Sequence, residues 1–223
     1  MSDTDSFIDE VTEEVRRDQL FATMKKYALI PVLLIVTIVG GAAWSEYQKA
    51  QTKAAAEQLG DDIIAALADN EPADRATALS KITATTAGGA AIVQLLTSAA
   101  QANSGDTEQA RTGLETVAQI GETAEIYRQI ATFKTLTMAD NGLSTDERRV
   151  QFEAMAQPGS LLRLLAEEQL ALIDLSEGQT DAAISRLQTI LQDAEVSNDL
   201  QRRVSQVIVA LGETPDLLPG SRG

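Results

Sequence analysis

The sequence predicts an all-α chain: a single N-terminal transmembrane helix, then an α-solenoid of about four helical hairpins closed by a C-terminal capping helix. Three observations predict it. An uncharged apolar run lies near the N-terminus, the remainder is rich in Ala and Leu and poor in aromatics, and a Gly-centred pattern returns after 73 residues. The order that follows is a cytoplasmic segment over 1–26, the span over 27–47, the hairpins over 48–212 and an irregular tail over 213–223.

Residues 1–26 carry seven acids and four bases. Phe7, Ile8, Val11, Val15 and Leu20 fall near helical spacing, which suits either a short amphipathic partner-binding helix or a solvated tail. From Tyr27 to Trp44 no residue is charged. As a helix this run covers about 27 Å, close to the roughly 30 Å hydrocarbon core of a bilayer. Lys25 and Lys26 bound it on one side, Glu46 and Lys49 on the other, with Tyr27, Trp44 and Tyr47 at its ends, where amphipathic rings favour the headgroup level. A core helix would carry a polar stripe, which this run lacks. A cleaved signal would open with a short basic region, whereas this chain opens acidic. An uncleaved anchor is therefore expected, with Gly40, Gly41, Ala42 and Ala43 as the place where another membrane helix could approach closely. Arg16, Arg17, Lys25 and Lys26 precede the span and only Lys49 and Lys53 follow it closely, so the N-terminus is expected in the cytoplasm and the C-terminal part outside.

From Trp44 onward the chain holds 26 acidic and 14 basic residues, a net charge of −12. That disfavours nucleic acid and tight docking on anionic lipid. There is no Cys and no His, which removes disulfides, thiolate chemistry, the commonest general base and the commonest metal ligand. No nucleophile-elbow, phosphate-loop or metalloprotease pattern occurs. The acid pairs Asp61–Asp62, Asp146–Glu147 and Glu167–Glu168 would diverge by about 100° on a helix, so they read as solvated faces. No catalytic residue, cofactor, metal or small-molecule substrate is expected.

After the apolar run no breaker occurs before Gly60, so the span is expected to continue into the first soluble helix. "DNEP" closes that helix, with Pro72 suited to the first turn of the next. "TTAGGA" is expected to close "ADRATALSKITA" as a helix break at Gly88–Gly89. "NSGD", Gly121, "DNGLSTDE", "QPGS", "EGQTD" and "SNDL" punctuate the later helices, and Gly212 and Pro215 end the last.

Residues 94–118, "QLLTSAAQANSGDTEQARTGLETVA", align with 167–191, "EEQLALIDLSEGQTDAAISRLQTIL". Gly105 meets Gly178, Ala110 meets Ala183, Leu114 meets Leu187 and Val117 meets Ile190. Gly142 falls midway, although Glu147 stands where the Ala should be. The pattern resembles the tetratricopeptide repeat, a helix–turn–helix unit of about 34 residues. An unrelated helical bundle is the competing architecture.

"EVRRDQLFATMKKY", one span and "LLRLLAEEQLALIDLSEGQTDAAISRL" together resemble the YfgM-like family of ancillary translocon subunits. These are single-pass inner-membrane proteins of Gram-negative bacteria with a periplasmic tetratricopeptide-like domain. The resemblance implies protein partners, among them the Sec translocon and periplasmic chaperones, and carries over no catalytic residue.

The expected function is a membrane-anchored, non-enzymatic protein–protein interaction scaffold on the periplasmic side of the inner membrane, assisting translocation or chaperoning. A structural accessory subunit of a stable envelope or respiratory complex is the alternative. A hydrolase is disfavoured by the missing residues and motifs. The partner-binding groove is expected to come mainly from the first helix of each hairpin, at Gln94, Thr97, Gln101, Tyr127, Arg128, Gln129 and Lys134. The basic doublets Arg148–Arg149 and Arg202–Arg203 read either as surface ion pairs or as contacts for an acidic partner or the membrane surface.

Overall fold

The computed structural model describes Lys25 and residues 29–139 and 141–217. The expectations for residues 1–24, Tyr27 and the last six residues lie outside the described residues. The contacts divide the chain into two compact units, Met1–Glu57 and Gln58–Gly223. Among the described residues there are nine helices and no strand: α1 Leu29–Leu67, α2 Pro72–Leu79, α3 Ala87–Ser104, α4 Thr107–Gln119, α5 Glu125–Thr137, α6 Thr145–Met155, α7 Arg163–Ser176, α8 Thr180–Leu191 and α9 Asn198–Ala210.

The expected continuation into the first soluble helix is present, and Gly60 does not interrupt α1. In the first unit its side chains are exposed on every side. Ile30, Leu33, Leu34, Ile35, Val36, Ile38, Val39, Trp44 and Tyr47 are each 56–67% exposed. Leu33 to Val36 are consecutive and turn through about 300°, so the apolar surface is no stripe. Trp44 and Tyr47 lie against each other, ring centroids 6.2 Å apart. Among the described residues no helix is long and apolar enough to cross a membrane. The expected span begins at Tyr27, and Tyr27 and Ala28 lie outside the described residues.

The second unit is a succession of hairpins: α3 with α4, α5 with α6 and α7 with α8, each helix packed on its chain neighbour, with α3 also meeting α5. Glycine makes the tight turns. Gly105 (φ +91°) and Gly178 (φ +77°) adopt the left-handed conformation that other residues avoid. After each, the next N–H reaches back to the helix: Asp106 to the Gln101 carbonyl at 2.8 Å and Gln179 to the Asp174 carbonyl at 2.8 Å. These are the same Schellman turn 73 residues apart. The aligned residues Ala110, Leu114, Val117, Ala183, Leu187 and Ile190 are all buried.

The middle hairpin departs from its neighbours for a specific reason. α4 and α8 start two residues after their Gly, whereas α6 starts three after Gly142. The extra residue goes into a turn tied by Asn141, whose amide donates to the Leu136 carbonyl at 2.9 Å and accepts from the Leu143 N–H at 2.9 Å. The buried position of this helix therefore moves by one. Phe152 is fully buried where Leu114 and Leu187 sit in the others, and stands edge-on to Phe133 at 5.7 Å. Glu147 faces solvent and forms a capping box with Ser144.

Four apolar clusters run along this unit. The first joins Ile63 and Ala66 of α1 to Leu79 of α2 and Ala100 of α3. The second joins Ala91 and Leu95 of α3 to Leu114 and Val117 of α4 and Ala131 of α5. The third joins Leu136 of α5 to Phe152 of α6 and Leu170 of α7. The fourth joins Ala171 of α7 to Leu187 and Ile190 of α8 and Val204 and Ile208 of α9. Helices α3, α5 and α7 thus serve two clusters each, and α9 covers the last. Each fully buried Leu or Ile contributes roughly 1.5–3 kcal/mol over leaving it exposed.

One punctuation differs from expectation. α2 ends at Leu79, and Gly88–Gly89 lie inside the first turn of α3 rather than breaking a helix. Thr86 caps that turn, its hydroxyl accepting from the Gly89 N–H at 3.1 Å. A Cβ on Gly89 would stand 2.8 Å from Leu59 Cδ2, so glycine there lets α3 approach α1.

Candidate partner-binding surface

The repeat shapes the surface as well as the core. An open depression of about 350 Å³ lies between α3 and α4, lined by Gln94, Gln101, Glu108, Gln109, Thr112, Gly113 and Thr116. A second, of about 390 Å³, lies between α7 and α8, lined in part by Glu167, Ala182, Ser185, Arg186 and Thr189. Adding 73 to Gln94, Gln109, Thr112, Gly113 and Thr116 gives those five residues of the second. The two are one surface feature presented twice.

Their chemistry differs. In the first, amides and hydroxyls dominate, and Gln101 Nε2 donates to Gln109 Oε1 at 3.2 Å across the two helices. The ends of Gln94 and Ser98 fill the space beside Gly113: a Cβ there would fall 2.2 Å from Gln94 Nε2 and 2.5 Å from Ser98 Oγ. In the second, Arg186 replaces that glycine and donates to Glu167 Oε2 at 2.5 Å and Asp174 Oδ2 at 3.2 Å. In the first depression the Thr112 and Thr116 hydroxyls donate back to the Glu108 and Thr112 carbonyls, so these polar groups are neutral and locally paired, whereas ion pairs span the second.

Of the residues expected to line a groove, the structure brings only Gln94 and Gln101 together in a depression. Thr97 is a correction. It is 4% exposed, its hydroxyl satisfied by the Val93 carbonyl at 2.8 Å, so it lies in the core and presents nothing to a partner. Tyr127 packs against the second apolar cluster. Arg128 holds the turn before α5 through the carbonyls of Gly121 and Thr123. Gln129 donates to Glu125 along its own helix at 2.8 Å, and Lys134 is exposed on α5. Gly40, Gly41, Ala42 and Ala43 are exposed on α1, and a Cβ on either glycine would meet nothing within 4 Å.

The basic doublets resolve into internal pairing. Arg149 donates to Asp174 at 2.7 Å and Glu177 at 2.9 Å. The hydrogen bond from Asp174 leads the effects that raise the guanidinium pKa above its ordinary value. Arg148 Nε donates to the Leu136 carbonyl at 3.1 Å. Arg203 grips Glu168 with two bonds of 3.0 and 2.7 Å, and Arg202 pairs with Asp199 one turn away. Glu167 and Glu168 therefore serve different partners, Arg186 and Arg203. Asp174 was missed from sequence, although an acid near the end of an apolar helix, with Arg149 before it and Arg186 after it, is the available signal. Among the described residues no three His, Cys, Asp or Glu side chains cluster as metal ligands.

No curated protein matches the chain, and no solved structure does. The tetratricopeptide repeat-like domain family matches residues 23–147, a range that starts ahead of the apolar run and ends at the beginning of α6. It takes in 125 of the 223 residues. With the Gly-turned hairpins and their shared clusters, this match makes the chain a member of the tetratricopeptide repeat-like domain family.

Proposed function

We propose that this protein is a membrane-tethered, non-enzymatic scaffold on the periplasmic side of the bacterial inner membrane, acting beside protein translocation or periplasmic chaperoning as the YfgM-like resemblance implies. Membership of the tetratricopeptide repeat-like family implies protein partners, and scaffolding rather than turnover is typical of such domains. The observation that carries the tether is the exposure of α1 from Leu33 to Tyr47 on every side. A helix apolar all round needs cover from lipid or from other apolar helices. The family match includes this run together with the first hairpins, which supports reading the two as parts of one family architecture. Near the membrane the anchor raises the effective concentration of the hairpin surface towards neighbouring complexes.

The test is alkaline carbonate extraction of membranes with a periplasm-active reporter fused at the C-terminus, followed by photo-crosslinking from Gln94, Gln109 and Thr116. The expected result is retention in the membrane, reporter activity, and capture of translocon or chaperone subunits. Release by carbonate would overturn the tether, and capture of no protein would overturn the scaffold. Gly40–Ala43, small and unobstructed, favours a second reading as a fixed accessory subunit of a larger membrane complex. A stoichiometric, detergent-resistant partner crosslinked from those four residues distinguishes it.

A further inference from the structure

The chain leaves α9 by a Schellman turn at Gly212 (φ +88°), with the Glu213 N–H on the Ile208 carbonyl at 3.1 Å and the Gly212 N–H on Val209 at 3.0 Å. The residues after the turn lie on α8. There Gln188 holds the backbone on both sides of Pro215. Its Nε2 donates to the Thr214 carbonyl at 2.8 Å, and its Oε1 accepts from the Asp216 N–H at 2.8 Å. Gln192 Nε2 donates to Asp216 Oδ2 at 2.8 Å, and Leu217 packs against the last apolar cluster.

This is how a protein holds a peptide. One side-chain amide supplies the donor and acceptor that a neighbouring strand would supply, and so grips the main chain of Thr214 and Asp216. The carboxylate of Asp216 and the side chain of Leu217 add selectivity. Pro215, between the two gripped groups, has no N–H to leave unpaired. Its ring fixes φ near −65° and confines the residue before it to extended conformations. A segment preset in this way loses little conformational freedom on docking.

We propose that the Gln188–Gln192 face of α8 is a docking site for an extended partner peptide of Pro-Asp-Leu type, and that Thr214–Leu217 fills it as a built-in strap which such a partner displaces. The inference deepens the scaffold reading and rests on it only for the existence of a partner. A tethered segment competes at an effective concentration on the order of millimolar, so the strap screens out weak ligands and admits a tight or locally concentrated one.

The test uses the full chain in detergent and a fluorescent synthetic peptide of residues 213–223, read by anisotropy. A chain shortened to end at Gly212 is expected to bind the peptide about tenfold or more tightly than the intact chain, whose own strap competes. Gln188→Ala in the shortened chain should cost about tenfold or more in affinity through the loss of both backbone bonds. Gln119→Ala, at the position of α4 that matches Gln192, should change nothing. Should the shortened chain lose helix content, the intact chain carrying Asp216→Lys and Leu217→Ala keeps its length and is expected to bind in its place. Equal binding by closed and opened forms, no binding by either opened form, or indifference to Gln188→Ala overturns the proposal. A negative peptide result leaves the scaffold reading standing, and a failure to capture partners from membranes leaves a positive peptide result standing.

Discussion

Arg149 on α6 donates across 2.7 Å to Asp174 on α7, and the carboxylate that receives it is 2% exposed. The other oxygen of Asp174 takes Arg186 from α8 at 3.2 Å, so one acid ties three successive helices. Such a group is costly to leave with its partners unmatched. Asp174→Ala takes one of two carboxylate partners from each of Arg149 and Arg186, which keep Glu177 and Glu167, and is expected to cost roughly 2–3 kcal/mol, below the full buried-pair penalty. Arg149→Ala leaves Asp174 its second arginine and should cost less. Urea unfolding of the two variants checks the order.

The left-handed turns give a second expectation. Gly105→Ala and Gly178→Ala force a Cβ into positive φ, at about 1–2 kcal/mol each. The two turns share no partner, so the double variant should show the sum to within about 0.5 kcal/mol. Thermal melts of the three variants report it.

Phe152 fills the middle hairpin where its neighbours use Leu. Phe152→Ala removes a fully buried ring and its edge-on contact with Phe133, and should cost about 3–5 kcal/mol. Phe152→Leu restores the residue type of the flanking hairpins and should recover part of that loss. Near-ultraviolet circular dichroism and unfolding midpoints distinguish the two.

The acid limb of stability should reflect two carboxylates. The Glu147 pKa is lowered first by the Ser144 N–H and then by its hydroxyl. Asp193 is lowered by the Glu195 N–H and by Arg163, against the opposing effect of burial. A group whose pKa falls on folding stabilises the fold above its unfolded value, about 4 for these acids, and that contribution fades as pH drops through the lowered value. Stability is therefore expected to be flat on this account above about pH 5 and to decline below about pH 4. Glu147→Gln, which can still accept the capping bonds, should flatten that decline while keeping α6 at neutral pH. Urea midpoints measured from pH 3 to pH 7 decide it.

Much of the hairpin order could be read from the sequence, because Gly at a Schellman turn and a small residue five positions later are forced by backbone geometry and close packing. The middle hairpin could not, because one extra residue beside Asn141 moves the inward set without altering the composition. Gly88–Gly89 misled because glycine serves close approach as well as chain breaking, and the nearness of Leu59 is invisible in one dimension. Among the expected groove residues, Gln94 and Gln101 line a depression because they sit on the outward side of α3. Thr97 was misassigned because a hydroxyl bonded to the carbonyl four residues back can be buried. The tail was expected to be irregular, and residues 213–217 are non-helical, but the grip of Gln188 depends on a partner 26 residues away.

Because α3, α5 and α7 each form a wall of two clusters, no cluster can take up solvent without stripping a face from the next. Denaturation begun at either end should therefore advance along the array instead of halting at a seam. Deleting one hairpin would bring together two mismatched faces, whereas removing a 73-residue pair would join walls of the same kind.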